Sequence, residues 1–204
     1  MSIVVEHEKR RWEILEKALD IFVEEGFDDA TYQKIADRCG ITRTTLYIYF
    51  KNKKEIFNFS IKQFLSIMEN TISEIREKKN LSHMDRLIQV MTVIIGRLKE
   101  NSRVLSVVIN YLLHISKNEP EPGYRVRRRT VRLRHILTAM LVEGIKAGEF
   151  DPGINVKDAN ELLYSFIEAA IFRLTVLRKT SVDELLDAMK LVVYRFSINP
   201  ELSY

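Results

Sequence analysis

Apolar residues recur at spacings of three and four along most of this chain, and that periodicity confines it to a helical fold. Only seven glycines and four prolines punctuate 204 residues, too few for the many tight turns of a sandwich or barrel. Trp12, Leu15, Leu19 and Phe22 predict one apolar stripe on a first helix over about Glu8–Glu25, stopped at Gly26. Thr31 is placed to cap a short second helix carrying Ile35 and Ala36 and ended by Gly40. Thr42 is placed to cap a third, with Leu46 and Phe50 facing inward. Asn52 followed by Glu55 has the spacing of a capping box, and it opens a long fourth helix bearing Ile56, Phe57, Ile61, Phe64, Met68, Ile72 and Ile75. Five more helices are expected over 82–100, 102–118, 124–148, 156–179 and 182–197. Asn101, Pro120–Gly123, Asp151–Gly153 and Thr180-Ser181 break them, and Ser181 with Glu184 predicts a capping box for the last. No strand pattern, internal repeat or low-complexity tract is visible. The expected fold is all-α.

A 46% apolar content supports a packed core, and the single cysteine, Cys39, rules out an internal disulfide or a cysteine-rich zinc site. His7, His83, His114 and His135 lack metal-ligand spacing, so no metal or cofactor is expected. The longest apolar run, Val104–Ile115, is interrupted by Ser106 and Asn110 and is too short to span a bilayer. Residues 1–11 hold no signal-peptide core, and a cytoplasmic protein without membrane association is expected.

The net charge of +4 is unevenly spread. Residues 1–29 are dominated by acids. Residues 30–54 carry Lys34, Arg38, Arg43, Lys51, Lys53 and Lys54 against one acid, Asp37. A second basic run holds Arg125, Arg127, Arg128, Arg129, Arg132 and Arg134, without which the chain would be acidic.

The first basic stretch coincides with the steric pattern of a helix-turn-helix. Two short helices crossing through a tight turn need a small residue at the contact and a glycine at positive φ four residues later; Ala36 and Gly40 fill these places. Ile35, Cys39, Ile41, Leu46 and Tyr49 occupy the inward positions. Thr42, Arg43, Thr44, Tyr47 and Ile48 occupy the outward ones, where hydroxyls, a guanidinium and methyl groups suit phosphates and base edges.

The stretch from Thr31 to Phe57, centred on Leu46-Tyr47-Ile48-Tyr49-Phe50 and Asn52-Lys53-Lys54-Glu55, closely resembles the signature of the TetR family of bacterial regulators, as does Ile14–Phe27 upstream. The close resemblance covers about residues 9–60. Thr44 departs from it, since many members carry glycine there. The resemblance implies a two-fold homodimer of nine-helix subunits that binds double-stranded operator DNA and a small-molecule effector, with repression as the family default. It implies a DNA-binding domain over 1–52 and an effector-binding and dimerisation domain over 53–204. By position, Arg43, Thr44, Thr45 and Tyr47 are expected to face DNA, with Thr31, Tyr32, Gln33, Tyr49 and Lys53 near phosphates or groove edges; Thr42, at an outward place of the third helix, is expected to contact DNA as well.

The eighth helix is apolar around most of its circumference, which places it against its own domain on one side and a second subunit on the other. Leu163, Ile167, Ala170 and Leu174, with Leu185, Met189, Val193 and Phe196 of the ninth helix, are the expected dimer interface. Phe64, Met68, Met91, Tyr111, His114, Met140, Tyr164, Glu168 and Phe172 are candidates for an effector pocket, although such a stripe also serves as plain core. Glu168 and Arg173 fit either interface ion pairs or pocket polar groups. The 125–134 arginines fit either a solvated face paired with acids such as Glu119 and Glu121, or an anion site. No phosphate loop, nucleophile motif or carboxylate–histidine pairing supports catalysis. The alternatives are a helical-bundle enzyme or an interaction module with a vestigial helix-turn-helix.

Overall fold

The computed structural model describes the backbone of residues 2–116 and 122–198, and the side chains of residues 5–113 and 131–198. Among these residues it is all-helical: α1 (Ser2–Asp29), α2 (Tyr32–Cys39), α3 (Arg43–Tyr49), α4 (Lys53–Arg76), α5 (His83–Glu100), α6 (Ser102–Ser116), α7 (Pro122–Lys146), α8 (Val156–Thr175) and α9 (Asp183–Tyr194). An isolated antiparallel bridge joins Phe150 to Ser197. The expected helices are present with shifted ends. α1 begins before Glu8 and passes through Gly26, where the backbone leaves helical geometry (φ 85°, ψ 172°), before a last turn to Asp29. α7 starts at Pro122, the first-turn position that tolerates a missing N–H.

The contacts divide the described chain into two compact units. The first holds α1–α3, α4 as far as Asn70, and Ser106–Tyr111 of α6. The second holds α4 from Thr71, the chain on to Leu105, and the chain from Leu112 onward.

In the first unit α1 buries Ile14, Leu15, Ala18, Ile21 and Phe22, at helical spacing on one face. That face is rotated from the expected stripe: Trp12 is 46% exposed and Leu19 half-buried. Ile35 and Ala36 of α2, Leu46 of α3 and Phe50 close against it, each at most 1% exposed. The unit continues past residue 52 because α4 supplies Ile56, Phe57, Ser60 and Ile61 to the same core. The Ser60 hydroxyl donates to the Leu15 carbonyl at 2.8 Å. Phe57 meets Phe22 edge-on at 5.0 Å and Tyr111 at 4.6 Å, and Phe27 meets Tyr111 at 4.5 Å. Each such buried side chain contributes roughly 1.5–3 kcal/mol by leaving water.

In the second unit α5 packs against α7, α8 and α9 and buries Leu87, Val90, Met91, Ile94 and Ile95. Ser82 caps α5 by accepting from Asp85 N at 2.9 Å, and Asn155 caps α8 by accepting from Lys157 N at 3.1 Å. The expected Ser181–Glu184 box does not form. α9 begins one residue later than it requires, with Val182 at the cap and no side-chain cap bond, while Ser181 Oγ accepts from Asp183 N at 3.2 Å. Val182 is 1% exposed, so its burial decides where the helix starts. Past α7, the Glu149 carboxylate accepts from His83 Nδ1 at 2.8 Å and from Met84 N at 3.1 Å, fixing the start of α5.

The expected dimer-interface residues are corrected by this packing. Leu163, Ile167, Ala170, Leu174, Leu185, Met189, Val193 and Phe196 are all buried in the chain's own core, none above 8% exposed. The stripe with the cleanest spacing is the one the subunit needs for itself. The apolar residues left outside are Leu162, Phe172, Val176 and Leu177 at α8, and Leu191 on α9, each between 43% and 59% exposed.

Candidate nucleic-acid interface

The turn between α2 and α3 is built by backbone chemistry that the sequence dictates. Thr31 Oγ1 accepts from Lys34 N at 3.2 Å and so caps α2. Gly40 closes α2 in the left-handed conformation (φ 66°), which lets its N–H reach Asp37 O and the Ile41 N–H reach Ala36 O, both at 3.0 Å. A Cβ there would be strained by the backbone angle itself. Thr42 Oγ1 accepts from Thr45 N at 3.1 Å and starts α3, and its hydroxyl lies 2.8 Å from that of Thr45.

The faces of α3 separate as expected. Leu46 and Phe50 are buried, and Ile41, Thr45 and Tyr49 are half-buried. Thr42, Arg43, Thr44, Tyr47 and Ile48 are exposed, Ile48 by 70%. Arg43 Nη2 donates to the Tyr47 hydroxyl at 3.3 Å, a weak bond easily exchanged for a nucleic-acid acceptor. Tyr49 stacks on His7 of α1, centroids 4.6 Å apart, which brings α1 to the end of α3.

Two expected contacts are already engaged within the protein. Tyr32 is buried, its ring stacks on Tyr47 at 4.5 Å, and its hydroxyl donates to the Phe50 carbonyl. Burial, with like-charge influence from Tyr47 and Glu55, pushes its pKa up to about 12, so the phenol stays a donor. Tyr32 therefore positions α3 rather than presenting a loose hydroxyl. Lys53 Nζ donates to Asp28 O at 2.9 Å and lies 4.6 Å from the centre of the Phe27 ring. Gln33 is exposed and donates to Asp37 at 2.7 Å.

The basic rim is narrower than the sequence suggests. Lys34 pairs with Glu25 at 2.7 Å, and Arg38 forks onto Glu24 at 3.1 and 2.6 Å. The Arg38 hydrogen bonds hold the Glu24 carboxyl below its ordinary range. Positive charge is thus concentrated at Arg43 and at Lys51, Lys53 and Lys54 in the α3–α4 turn. Sequence reasoning missed this, although the acids of residues 24–25 and the bases of 34 and 38 were visible. It also missed two contacts of α1: Arg10 donates to the Cys39 carbonyl at 3.1 Å, and the Arg11 guanidinium lies 4.4 Å from the Phe59 ring. Burial raises the pKa of the Cys39 thiol, as suits a core residue.

The nine effector-pocket candidates fall in both units of the chain. Phe64, Met68 and Tyr111 fall in the first unit, with Tyr111 part of its aromatic cluster. Met91 is fully buried, Tyr164 lies 3.8 Å beneath the Arg134 guanidinium, and Phe172 is 53% exposed, while Glu168 is exposed. Met140 lines a small pocket with Arg76, His83, Arg86 and Glu143 that has no room for a water. The side chain of His114, and those of Arg125, Arg127, Arg128 and Arg129, lie outside the described residues, as do Glu119 and Glu121. Arg134 pairs with Glu161.

Among the described residues no helix is long and apolar enough to cross a membrane. The profile of bacterial regulatory proteins of the tetR family matches residues 14–58. The fatty acid metabolism regulator protein of Bacillus subtilis is 26% identical over 163 residues, covering 78% of this chain and 80% of that one. A TetR transcription regulator from Haloarcula marismortui superposes with a TM-score of 0.76 at 20% identity, covering 93% of this chain and 97% of the other. The transcriptional regulator FadR from Bacillus subtilis, solved in complex with stearoyl-CoA, superposes with a TM-score of 0.70 at 23% identity, covering 90% and 97%. The capped helix-turn-helix with its exposed polar face thus lies in the segment that matches the tetR-family profile, within an all-helical chain similar in sequence and fold to these regulators.

Proposed function

We propose that this chain is a ligand-responsive repressor that binds a pseudo-palindromic operator as a homodimer in the cytoplasm and leaves it when a small molecule binds. The observation that carries the proposal is α3: a helix fixed by Thr42, Gly40 and buried Leu46, with Thr42, Arg43, Thr44 and Tyr47 exposed on its outer face. Arg43 carries base reading through bidentate contact, while Thr31, Gln33, Thr45, Tyr49 and Lys53 support the backbone. Tyr32 holds α3 in place by its bond to Phe50 O. The apolar residues outside the core at α8 and α9 supply the subunit contact in place of the buried stripe first expected. A relative named for fatty acid metabolism and a fold neighbour holding stearoyl-CoA make a long-chain acyl-CoA the first effector to try. Sequencing the genomic fragments retained by the purified protein tests the proposal. A shared inverted repeat, released on addition of effector, is the expected result. Retention without any enriched sequence, by a protein that is folded and dimeric, would sink it and favour an interaction module.

A further inference from the structure

Two residues of the second unit break local backbone rules in opposite directions, and both line one groove. Gly96 sits inside α5, where alanine is the better helix former, and a Cβ built on it meets nothing within 4 Å. No neighbour requires the glycine. Arg178 is the non-glycine residue with positive φ (51°) among the described residues. It follows α8 at a place where Lys179 N closes back on Arg173 O at 2.9 Å, a position that favours glycine. Exchanging the two preferences would ease the backbone at both sites, yet it would shrink the groove at one and remove a cation at the other.

The groove has a volume of about 730 Å³ and lies between the C-terminal ends of α5 and α8 and the start of α9. Its apolar wall is Leu174, Val182 and Leu186, and its cationic rim is Lys99, Arg178 and Lys179. Two acids also line it, and both are engaged: Asp183 accepts from Ser181 at 2.6 Å and lies 3.9 Å from Lys99, while Glu100 pairs with Arg97 at 3.1 Å. Arg178 and Lys179 make no ion pair among the described residues. The N-terminus of α9 has no side-chain cap, and its positive end is offset by Asp183 and Glu184 in the first turn, so the charge of the rim rests on Lys99, Arg178 and Lys179.

We propose that this groove binds a small organic anion with an apolar body, a carboxylate or a phosphate monoester. Arg178 and Lys179 hold the charged head, Lys99 closes on it in exchange for its long contact with Asp183, and Leu186, backed by buried Leu174 and Val182, covers the hydrocarbon. Gly96 leaves the space that the body fills.

Calorimetric titration of the whole protein, without DNA, tests this independently of the operator proposal. The probes are octanoate and octyl phosphate below their micellar concentrations, with octanol and inorganic phosphate as controls. Wild-type protein is expected to bind at least one amphiphilic anion about tenfold or more tighter than either control, and the stronger of the two identifies the head group. Arg178→Gly and Gly96→Leu are each expected to lose about tenfold or more of that affinity, and Lys179→Gln a smaller factor. Arg178→Gly is also expected to raise the unfolding midpoint by roughly 2–4 °C, because strain is relieved. Equal binding of octanol would reduce the site to an apolar cleft, and equal binding of inorganic phosphate would reduce it to a surface charge cluster. Either result overturns the proposal, as does absence of binding at millimolar probe or wild-type affinity in Arg178→Gly and Lys179→Gln.

Discussion

Arg43 and Lys53 are both cations of the helix-turn-helix unit, and their surroundings give them different work. Arg43 reaches from the exposed start of α3 with only a 3.3 Å bond to Tyr47 to give up. Arg43→Ala is therefore expected to weaken the best operator by about 1–3 kcal/mol and random DNA far less, with preference relaxed at one base pair per half-site. Binding of operator variants across a salt series measures this. Lys53 sits in the first turn of α4, and once released from the Asp28 carbonyl it reaches only the DNA backbone, so Lys53→Ala is expected to weaken all DNA alike and flatten the salt slope by about one unit per subunit. It also costs a little stability. Tyr32 shows what residue type alone does not reveal. Its place in the motif suggested a groove-edge hydroxyl, but orientation decides the role, and the phenol turns inward to Phe50 O. Its pKa is raised from 10.0 to about 12 in the folded state, so the stability it contributes is intact below about pH 10 and is lost as pH rises toward 12. Denaturation at pH 9 and pH 11 is expected to show that loss in the wild-type protein. Tyr32→Phe, weaker at both pH values by about 1–3 kcal/mol for the orphaned carbonyl, is expected to lack that contribution to the pH dependence.

At the scale of elements, the sequence showed where helices lie more clearly than which way they face. Caps and breakers act over a few residues, so Thr31, Gly40, Thr42 and the Asp151–Gly153 break were readable directly. Facing is decided by partners far away in the chain. α1 turns Trp12 outward because Ile14, Ala18 and Ile21 make the better contact with its neighbours. α8, apolar on most sides, offered no means of telling the face that α5 and α9 cover from the face left open. A close approach was equally hidden. A Cβ on Gly144 would lie 2.3 Å from the Phe150 ring, which is itself fully buried after α7. Gly144→Ala is expected to cost about 1–3 kcal/mol through overpacking, read as a lower urea midpoint with an unchanged slope. Gly144→Ala with Phe150→Leu is expected to cost less than the sum of the two single changes, because the smaller ring position accommodates the methyl. Strict additivity would place the strain elsewhere.

At the scale of the molecule, a partner subunit is the least legible feature, since the chain must first satisfy its own core. The eight residues with the best interface pattern turned out to be that core, and what remains for a partner is the irregular set Leu162, Phe172, Val176, Leu177 and Leu191. The two stripes make opposite predictions. Phe172→Glu and Leu191→Glu place charge where a second subunit would bury it, so sedimentation is expected to show a folded monomer with the wild-type circular dichroism. Leu163→Glu, at a position with 0% exposure, is expected to unfold the chain instead. For the proposed dimer, operator binding then follows from symmetry. A two-fold dimer presents two copies of α3, and both reach the major groove on one face only if the half-sites lie about one helical turn, or a multiple of it, apart. Footprinting is expected to show two protected half-sites with the wild-type protein. Inserting half a turn of DNA between them is expected to lower affinity steeply, because it rotates one half-site to the far side of the duplex. The monomeric Phe172→Glu variant, whose α3 is unaltered, is expected to bind both spacings equally and weakly, since each subunit then reads alone. If the monomer retained full affinity for the natural spacing, coupling through α8 and α9 would contribute nothing to recognition, and the dimer would have to be dropped from the account of repression.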